Sequence, residues 1–412
     1  MTNRILLLLT AHTYRAAPFL AAAERLGIEI ATAVDLPPQL AAQWQVTLGL
    51  DYRDPDTAVA AITAYAQNHP LAAILAVDDS GTLLAARAAA ALGLPHNYPA
   101  AALAARNKLV MRQMLHIGGV PVPTFHAFTL ADDPAHIAAQ VSFPCVVKPL
   151  ELSGSRGVMR ANNAQELAAA IERLRRILLR LNPQPDQPFL VEDYIPGVEV
   201  ALEGMMDNGE LHPLALFDKP DPLEGPFFEE TLYITPSRLP TAVQQAIFAR
   251  TAQAAAALGL RTGPIHAELR VNDDGAWLVE MAGRSIGGLC SRTLRFGVDA
   301  SLEELILRQA AGLGLANTVR QETASGVMMI PIPEAGLLRA VTGEEAATAV
   351  PLIESVEITA PLHNPLVPLP EGESYLGFIF ARGESATAVE AALRVAHQQL
   401  HFTISPMLPI NS

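Results

Sequence analysis

The chain predicts a fold that is part α/β and part α+β, and three observations carry that reading. Residues 4–97 alternate short apolar runs with amphipathic helical stretches. The middle of the chain is rich in strands and carries one long Ala-rich helix, and the residues from about Thr323 onward read as strands with a single helix. With 412 residues, 50% of them hydrophobic, a large core and several lobes are expected.

In chain order, Ile5–Leu9, a helix near Ala16–Leu26, Glu29–Ala33, a helix around Thr57–Asn68, Ala73–Val77 and a helix from Ser80 to Leu92 form a doubly wound, mostly parallel unit. Its acidic loop Val77-Asp78-Asp79-Ser80-Gly81 lies past a strand end, where ligands bind, although a helix N-cap at Asp79 or Ser80 is the preferred reading. No G-x-G-x-x-G follows the first strand. A helix from about Ala100 to Ile117 should stop at Gly118-Gly119. Strands at Thr124–Phe128, Cys145–Pro149 and Val158–Arg160, a helix near Gln165–Leu181 and a Pro-rich loop at 182–188 come next. Strands at Phe189–Glu192, Glu199–Met206 and Leu211–Phe217, a helix at Thr241–Leu258, a hairpin and a helix at Leu302–Ala311 complete the middle. Strands at Val327–Pro331, Val356–Thr359 and Tyr375–Ala381 and a helix at Ala386–Leu400 make a smaller last lobe. The expected domains are 1–99, 100–188, 189–320 and 321–412.

A formal charge of −14 argues against nucleic acid or an anionic membrane as partner. No segment approaches a spanning length, and Leu6–Leu9 is a buried first strand rather than a signal peptide, since His12, Tyr14 and Arg15 follow at once. Cys145 and Cys290 are the only cysteines and have no metal-ligand spacing around them, which reads as a cytoplasmic chain.

The hairpin near residue 270 is the most informative segment. Ile265–Val271 and Ala276–Met281 alternate apolar and polar residues around Asp273-Asp274-Gly275. With a three-residue loop, Asn272 faces Ala276, Arg270 faces Leu278 and Glu268 faces Glu280. Opposed side chains start roughly 4.5–5.5 Å apart, so two carboxylates there call for a proton or a hard divalent cation. A two-residue loop would put the two Glu on opposite faces, and a solvated edge strand is the plain alternative.

Other segments suit a nucleotide. Strand Cys145–Pro149 delivers Lys148, and Ser153-Gly154-Ser155-Arg156-Gly157 forms a flap whose amides can lie over phosphates. Lys108 follows Arg106-Asn107 on a helix, where an ordinary exposed lysine is the alternative. Glu192-Asp193-Tyr194-Ile195-Pro196-Gly197-Val198-Glu199 is a strand end and turn that can offer backbone groups to adenine and Glu199 to a ribose. Arg284 can take a carboxylate or a transferring phosphoryl group, joined by the amides of Gly287 and Gly288. Phe227-Phe228-Glu229-Glu230 sets two acids beside two aromatics, either of which can pair with a substrate ammonium. Cys290 has no histidine at a suggestive spacing and reads as a buried small residue.

Taken in order, Asn107-Lys108, Val146-Val147-Lys148-Pro149, the Ser/Gly loop, Glu192 with Gly197 and Glu199, then Glu268, Glu280 and Arg284 resemble the ATP-grasp superfamily of carboxylate–amine ligases over about residues 100–310. The resemblance implies an ATP-grasp fold with an N-terminal doubly wound α/β domain and a small C-terminal α+β lobe. It implies that Lys108 and Lys148 bind phosphates under Ser153, Gly154, Ser155 and Gly157, that Glu192 and Ile195 sit at adenine and Glu199 at ribose, and that Glu268 and Glu280 hold magnesium. ATP and Mg²⁺ (or Mn²⁺) are the implied cofactors.

Within the superfamily, Ile286–Ser291 and Phe227–Thr231 look most like the L-amino acid ligases that make dipeptides. The implied partners are a small-molecule carboxylate and an amine, with a homodimer allowed. Bicarbonate-using relatives of the biotin-carboxylase or purine-pathway type, or an ATP-binding module without catalysis, are the rival readings. One position departs from the common Glu-x-Asn-x-Arg pattern: Ala282 stands where the Asn would be, so one metal ligand is missing.

Overall fold

The computed structural model describes residues 3–407 apart from 12, 45 and 317. The first lobe is the expected parallel sheet, in the order Leu48–Leu50, Glu29–Asp35, Arg4–Leu9, Ala73–Ala76. Its central strand Ile5–Leu8 is fully buried because helices cover both sheet faces. A second, four-stranded sheet runs Phe125–Thr129, Pro188–Asp193, Cys145–Pro149, Met159–Ala161, with the amphipathic helix Ala164–Leu181 packed on it. Because this sheet includes Asp193, the division at 188/189 falls inside one strand.

The centre of the molecule is an eight-stranded antiparallel sheet. Its order is Gly275–Ala282, Gly263–Asn272, Val198–Asp207, Glu210–Asp218, Leu232–Thr235, Ala324–Ile330, Gly377–Gly383, Ile353–Ile358. The C-terminal residues therefore extend the middle sheet, since Leu232–Thr235 pairs directly with Ala324–Ile330. Only the small sheet of Pro365–Leu366, Gly336–Thr342 and His401–Ser405 stands apart. Val200, Leu202, Ile265, Leu269, Leu278 and Met281 pack one face of the central sheet against the helices Pro99–Arg106, Lys108–Ile117 and Thr241–Leu258. The other face carries the polar cluster described below. Among the described residues no helix is long and apolar enough to cross a membrane.

Two local corrections bear on the site. The helix expected from Ala100 to Ile117 is two helices, broken at Asn107, whose side-chain oxygen accepts from the backbone N–H of Leu109 and Val110. This N-cap makes Lys108 the first residue of a new helix and turns its side chain toward the cavity. The second correction is the hairpin turn. Asn272 faces Gly275, Arg270 faces Trp277 and Leu269 faces Leu278, so the loop holds two residues rather than three. A β-bulge at Val279 then adds one residue to the second strand, and Glu268 faces Glu280 after all.

Candidate active site

The cavity-facing side of the central sheet is set by its register. Glu203 pairs with His266 and Glu199 with Arg270 across one strand boundary, while His266 pairs with Ala282 and Glu268 with Glu280 across the next. Opposed residues share a face, so Glu199, Glu203, His266, Glu268, Arg270, Glu280 and Ala282 all stand on one side. They form part of the wall of a cavity of about 620 Å³ closed by the other lobes, a size in the usual range for small-molecule sites. The lining gathers most of the residues singled out above: Lys108, Lys148, Ser153, Gly154, Ser155, Glu192, Ile195, Glu199, Glu230, Glu268, Glu280, Arg284, Gly287 and Gly288.

Two of those residues lie outside the wall. The Gly157 amide donates to the carbonyl of Pro370 at 2.8 Å, and a Cβ there would meet Leu174 and Pro149 at 3.1 and 3.2 Å. Gly157 is packed against these neighbours at a φ of +73°, a conformation that favours glycine. Glu229 is absent from the cavity wall, and burial raises the pKa of its carboxyl, offset in part by the backbone of Ile332. Glu230 is thus the acid on the cavity side, a choice that alternation alone left open.

At one end sit the two ammonium groups. Lys108 Nζ donates to the carbonyl of Leu152 at 2.9 Å and to Glu280 Oε1 at 3.0 Å. Lys148 is buried and ion-paired to Glu192. Glu192 also accepts a two-pronged bond from Arg112, at 2.7 and 3.0 Å. Burial alone would raise the Glu192 pKa, but Arg112 and Lys148 outweigh it and hold the carboxyl at about 2. Burial lowers the Lys148 pKa against the pull of Glu192. The Glu192 carboxylate is therefore spent on orienting cations, which leaves only the strand's backbone for an adenine. Beside it, Val146, Val158, Tyr194 and Phe228 make an apolar compartment next to Ile195.

Glu199 is likewise engaged. It receives Lys219 Nζ and Arg270 Nε, each at 2.8 Å and each on a different carboxylate oxygen. Carboxylate oxygens of Glu199, Glu230 and Glu268 lie within 4.8 Å of one another, and Lys219 reaches all three, standing 3.6 Å from Glu268. Burial and the Glu268 charge raise Glu230 to about 7 despite Lys219. For Glu268 burial pushes upward, and Lys219 and His266 more than reverse it, leaving the carboxyl below the ordinary range.

Glu268 and Glu280 suit a hard divalent cation by donor chemistry. Both are acidic oxygen donors on one face, and each is now neutralised by an ammonium group, Glu280 by Lys108 and Glu268 by Lys219.

Arg284 donates to Asp79 Oδ2 at 2.6 Å, and the flap's Ser153 hydroxyl donates to the same oxygen at 2.9 Å. Asp79 is therefore no helix cap: it is the first residue of its helix, and its carboxylate ties the flap to Arg284. Burial raises its pKa, and Arg284 overrides that to hold it at about 2. Tyr14, Tyr233, Cys290, Met329 and Tyr375 line the adjoining region, where a Cβ on Gly287 would meet nothing within 4 Å. Burial pushes the Cys290 thiol above its ordinary range, which fits a packed thiol and not a nucleophile.

Arg112, Lys219 and His266 went unnoticed in the sequence, and Asp79 reads there as a helix cap in an acidic loop. Signals for two of them existed. Arg112 stands four residues after Lys108 on the buried stripe with Met111 and Leu115. Lys219 follows its strand directly in a Lys-Pro pair, and Lys148 stands in a Lys-Pro pair at the end of its own.

This arrangement, two lysines under a glycine flap facing a carboxylate pair and an arginine between two lobes, is that of an ATP-grasp protein, and the chain belongs to that superfamily. Residues 20–96 match the ATP-grasp N-terminal domain and residues 141–293 the ATP-grasp domain. Within the superfamily it groups with the L-amino acid ligases: residues 328–405 match the L-amino acid ligase C-terminal domain 2. The structure of an L-amino acid ligase from Bacillus licheniformis superposes with a TM-score of 0.83 at 25% identity, over 98% of this chain and 100% of that one. An uncharacterised protein of Sinorhizobium fredii is 26% identical over 73% of this chain and 61% of its own length. An alanine–anticapsin ligase of Bacillus subtilis is 29% identical over 52% of this chain. The chain spans 49% of the length of that ligase.

Proposed function

We propose that the protein is an ATP-dependent carboxylate–amine ligase that joins two amino acids, or similar small molecules, through an amide bond. The observation that carries this reading is the convergence of Lys108, Lys148, the Glu268–Glu280 pair and Arg284 on one cavity. In this reading the γ-phosphoryl group of ATP passes to a substrate carboxylate, giving an acyl phosphate and ADP. The amine of the second substrate then attacks the acyl carbon, the C–N bond forms, phosphate leaves and the amine gives up a proton. Lys108 and Lys148 hold phosphate oxygens, the flap excludes water, and Arg284 exchanges Asp79 for the substrate carboxylate. Glu268 and Glu280 are the residues that would hold Mg²⁺, which supplies charge neutralisation at the phosphates. Ile195 and the strand end at Glu192 flank the adenine and Glu199 takes the ribose hydroxyls, while the two carboxylates also orient Arg112, Lys148, Lys219 and Arg270. The C-terminal match to L-amino acid ligases favours this reading over a bicarbonate-using one.

A screen of paired amino acids tests the proposal. Phosphate release should require two amino acids and yield a product of their summed mass less one water. Release with bicarbonate alone, or none with any pair, would count against it.

Two substitutions refine the assignment. Lys148→Ala should weaken nucleotide binding by about 1.5–3 kcal/mol, because a charge-assisted contact is lost while Arg112 still holds Glu192. Calorimetry with an ATP analogue measures it, and unchanged affinity would place Lys148 outside the phosphate site. Glu230→Ala should raise KM for an amino-acid substrate by roughly 10–100-fold, the same energy range. A des-amino analogue should lose little. Glu229→Ala, at a residue outside the cavity wall, should leave KM unchanged; equal effects at both positions would remove Glu230 as the ammonium partner.

A further inference from the structure

The metal assignment just made leaves a gap at Ala282, whose methyl group offers no donor although it lines the cavity beside Glu280. The residue that faces Ala282 across the strands is His266. We propose that His266 is a ligand to the divalent ion of this site, its Nε2 filling the coordination position left vacant by Ala282.

Three observations carry this. First, His266 Nε2 lies 3.2 Å from Glu268 Oε1. Neighbouring ligands on one octahedral ion, at metal–ligand distances of about 2.1 Å, stand roughly 3 Å apart. The imidazole nitrogen and the carboxylate oxygen are thus already spaced as two adjacent ligands. Second, the other ring nitrogen is held: Nδ1 is bonded to Glu203, which is wholly buried and fixed by the backbone N–H of Ile286 at 3.0 Å. Ligating histidines characteristically donate their second N–H to a carboxylate in this way, which sets the tautomer and aims the free nitrogen. Third, His266 is itself buried and is the one histidine among the described residues on the cavity wall.

A carboxylate site with one imidazole differs from an all-oxygen magnesium site. Nitrogen ligands shift preference from Mg²⁺ toward first-row transition ions, so Mn²⁺ or Co²⁺ gains over Mg²⁺. Binding displaces the proton from Nε2 and leaves Nδ1–H on Glu203.

The test uses the full chain labelled with ¹⁵N-histidine, loaded with Mn²⁺ and ADP and read by pulsed electron paramagnetic resonance. The expected result is a ¹⁵N coupling to the manganese that disappears in His266→Gln, with Mn²⁺ affinity weakened at least about 10–100-fold. Ala282→Asn, made on its own, should supply a competing amide oxygen, reduce the ¹⁵N coupling and lower the ratio of Mn²⁺ to Mg²⁺ affinity. This second variant leaves the Glu203–His266 pair intact, so it reports even if His266→Gln folds poorly. Nucleotide-bound Mn²⁺ without histidine coupling overturns the proposal and leaves the Glu268–Glu280 assignment standing. Failure of Mn²⁺ to bind with nucleotide overturns both.

Discussion

Arg112→Met should lower the unfolding free energy by about 3–5 kcal/mol, the cost of removing one partner from a buried ion pair. Arg112 is 2% exposed and makes four bonds. Two go to Glu192, and the other two go to the carbonyls of Leu278 and Val279, at 3.2 and 2.9 Å. Those carbonyls sit at the β-bulge that returns Glu280 to the cavity face. The substitution leaves Glu192 with Lys148 as its remaining cation and strips both carbonyls of the same donor. Lysine at 112 should recover only part of the loss, because an ammonium cannot supply the planar fork. Urea unfolding followed by circular dichroism measures the change. Adding Glu192→Gln to Arg112→Met should destabilise further, since the buried Lys148 then loses the carboxylate it is paired with. A shift below about 1 kcal/mol for Arg112→Met would show that the pair does not hold the lobes together.

Glu280→Gln is expected to cut phosphate release on the order of 10²–10³-fold, the scale of deleting one group that stabilises transition-state charge. The amide keeps the shape and the strand, and the side chain is one-third exposed, so the fold should persist. The variant loses the negative charge that meets Lys108 and would hold the divalent ion. Single-turnover phosphate release at saturating Mg²⁺ and Mn²⁺ is the measurement. Near-wild-type release would remove Glu280 from the metal site. Glu268→Gln should be as severe, but it also disturbs Lys219 and His266, so Glu280 gives the cleaner reading.

What was readable in advance was whatever depends on local pattern. The alternation of Leu6–Leu9 with flanking helices specified a parallel sheet because a strand covered on both faces must be apolar throughout. The residues of the cavity wall were mostly visible too, since lysines at strand ends, a Ser/Gly flap and paired Glu recur in a telling order. The turn was misread, yet the facing of Glu268 and Glu280 held: a shorter loop and a bulge offset each other by one residue. Local propensity cannot register that compensation, because the bulge is held by Arg112 from another helix.

The sequence by itself determined the doubly wound first lobe, the strand-rich middle and the set of charged residues available to a nucleotide site. Tertiary structure decided which of those charges are free. Glu192 and Glu199 are ion-paired, the first to Arg112 and Lys148 and the second to Lys219 and Arg270, which no local pattern announces. Asp79, read as a cap, reaches across a lobe boundary to Arg284 and Ser153. Glu230 and not Glu229 faces the cavity, where Lys219 meets it. Periodicity is written into neighbouring residues, but an ion pair between positions such as 79 and 284 depends on packing lobes together. A buried charge takes whatever partner that packing provides, because leaving it alone in a low dielectric costs more than any local preference supplies.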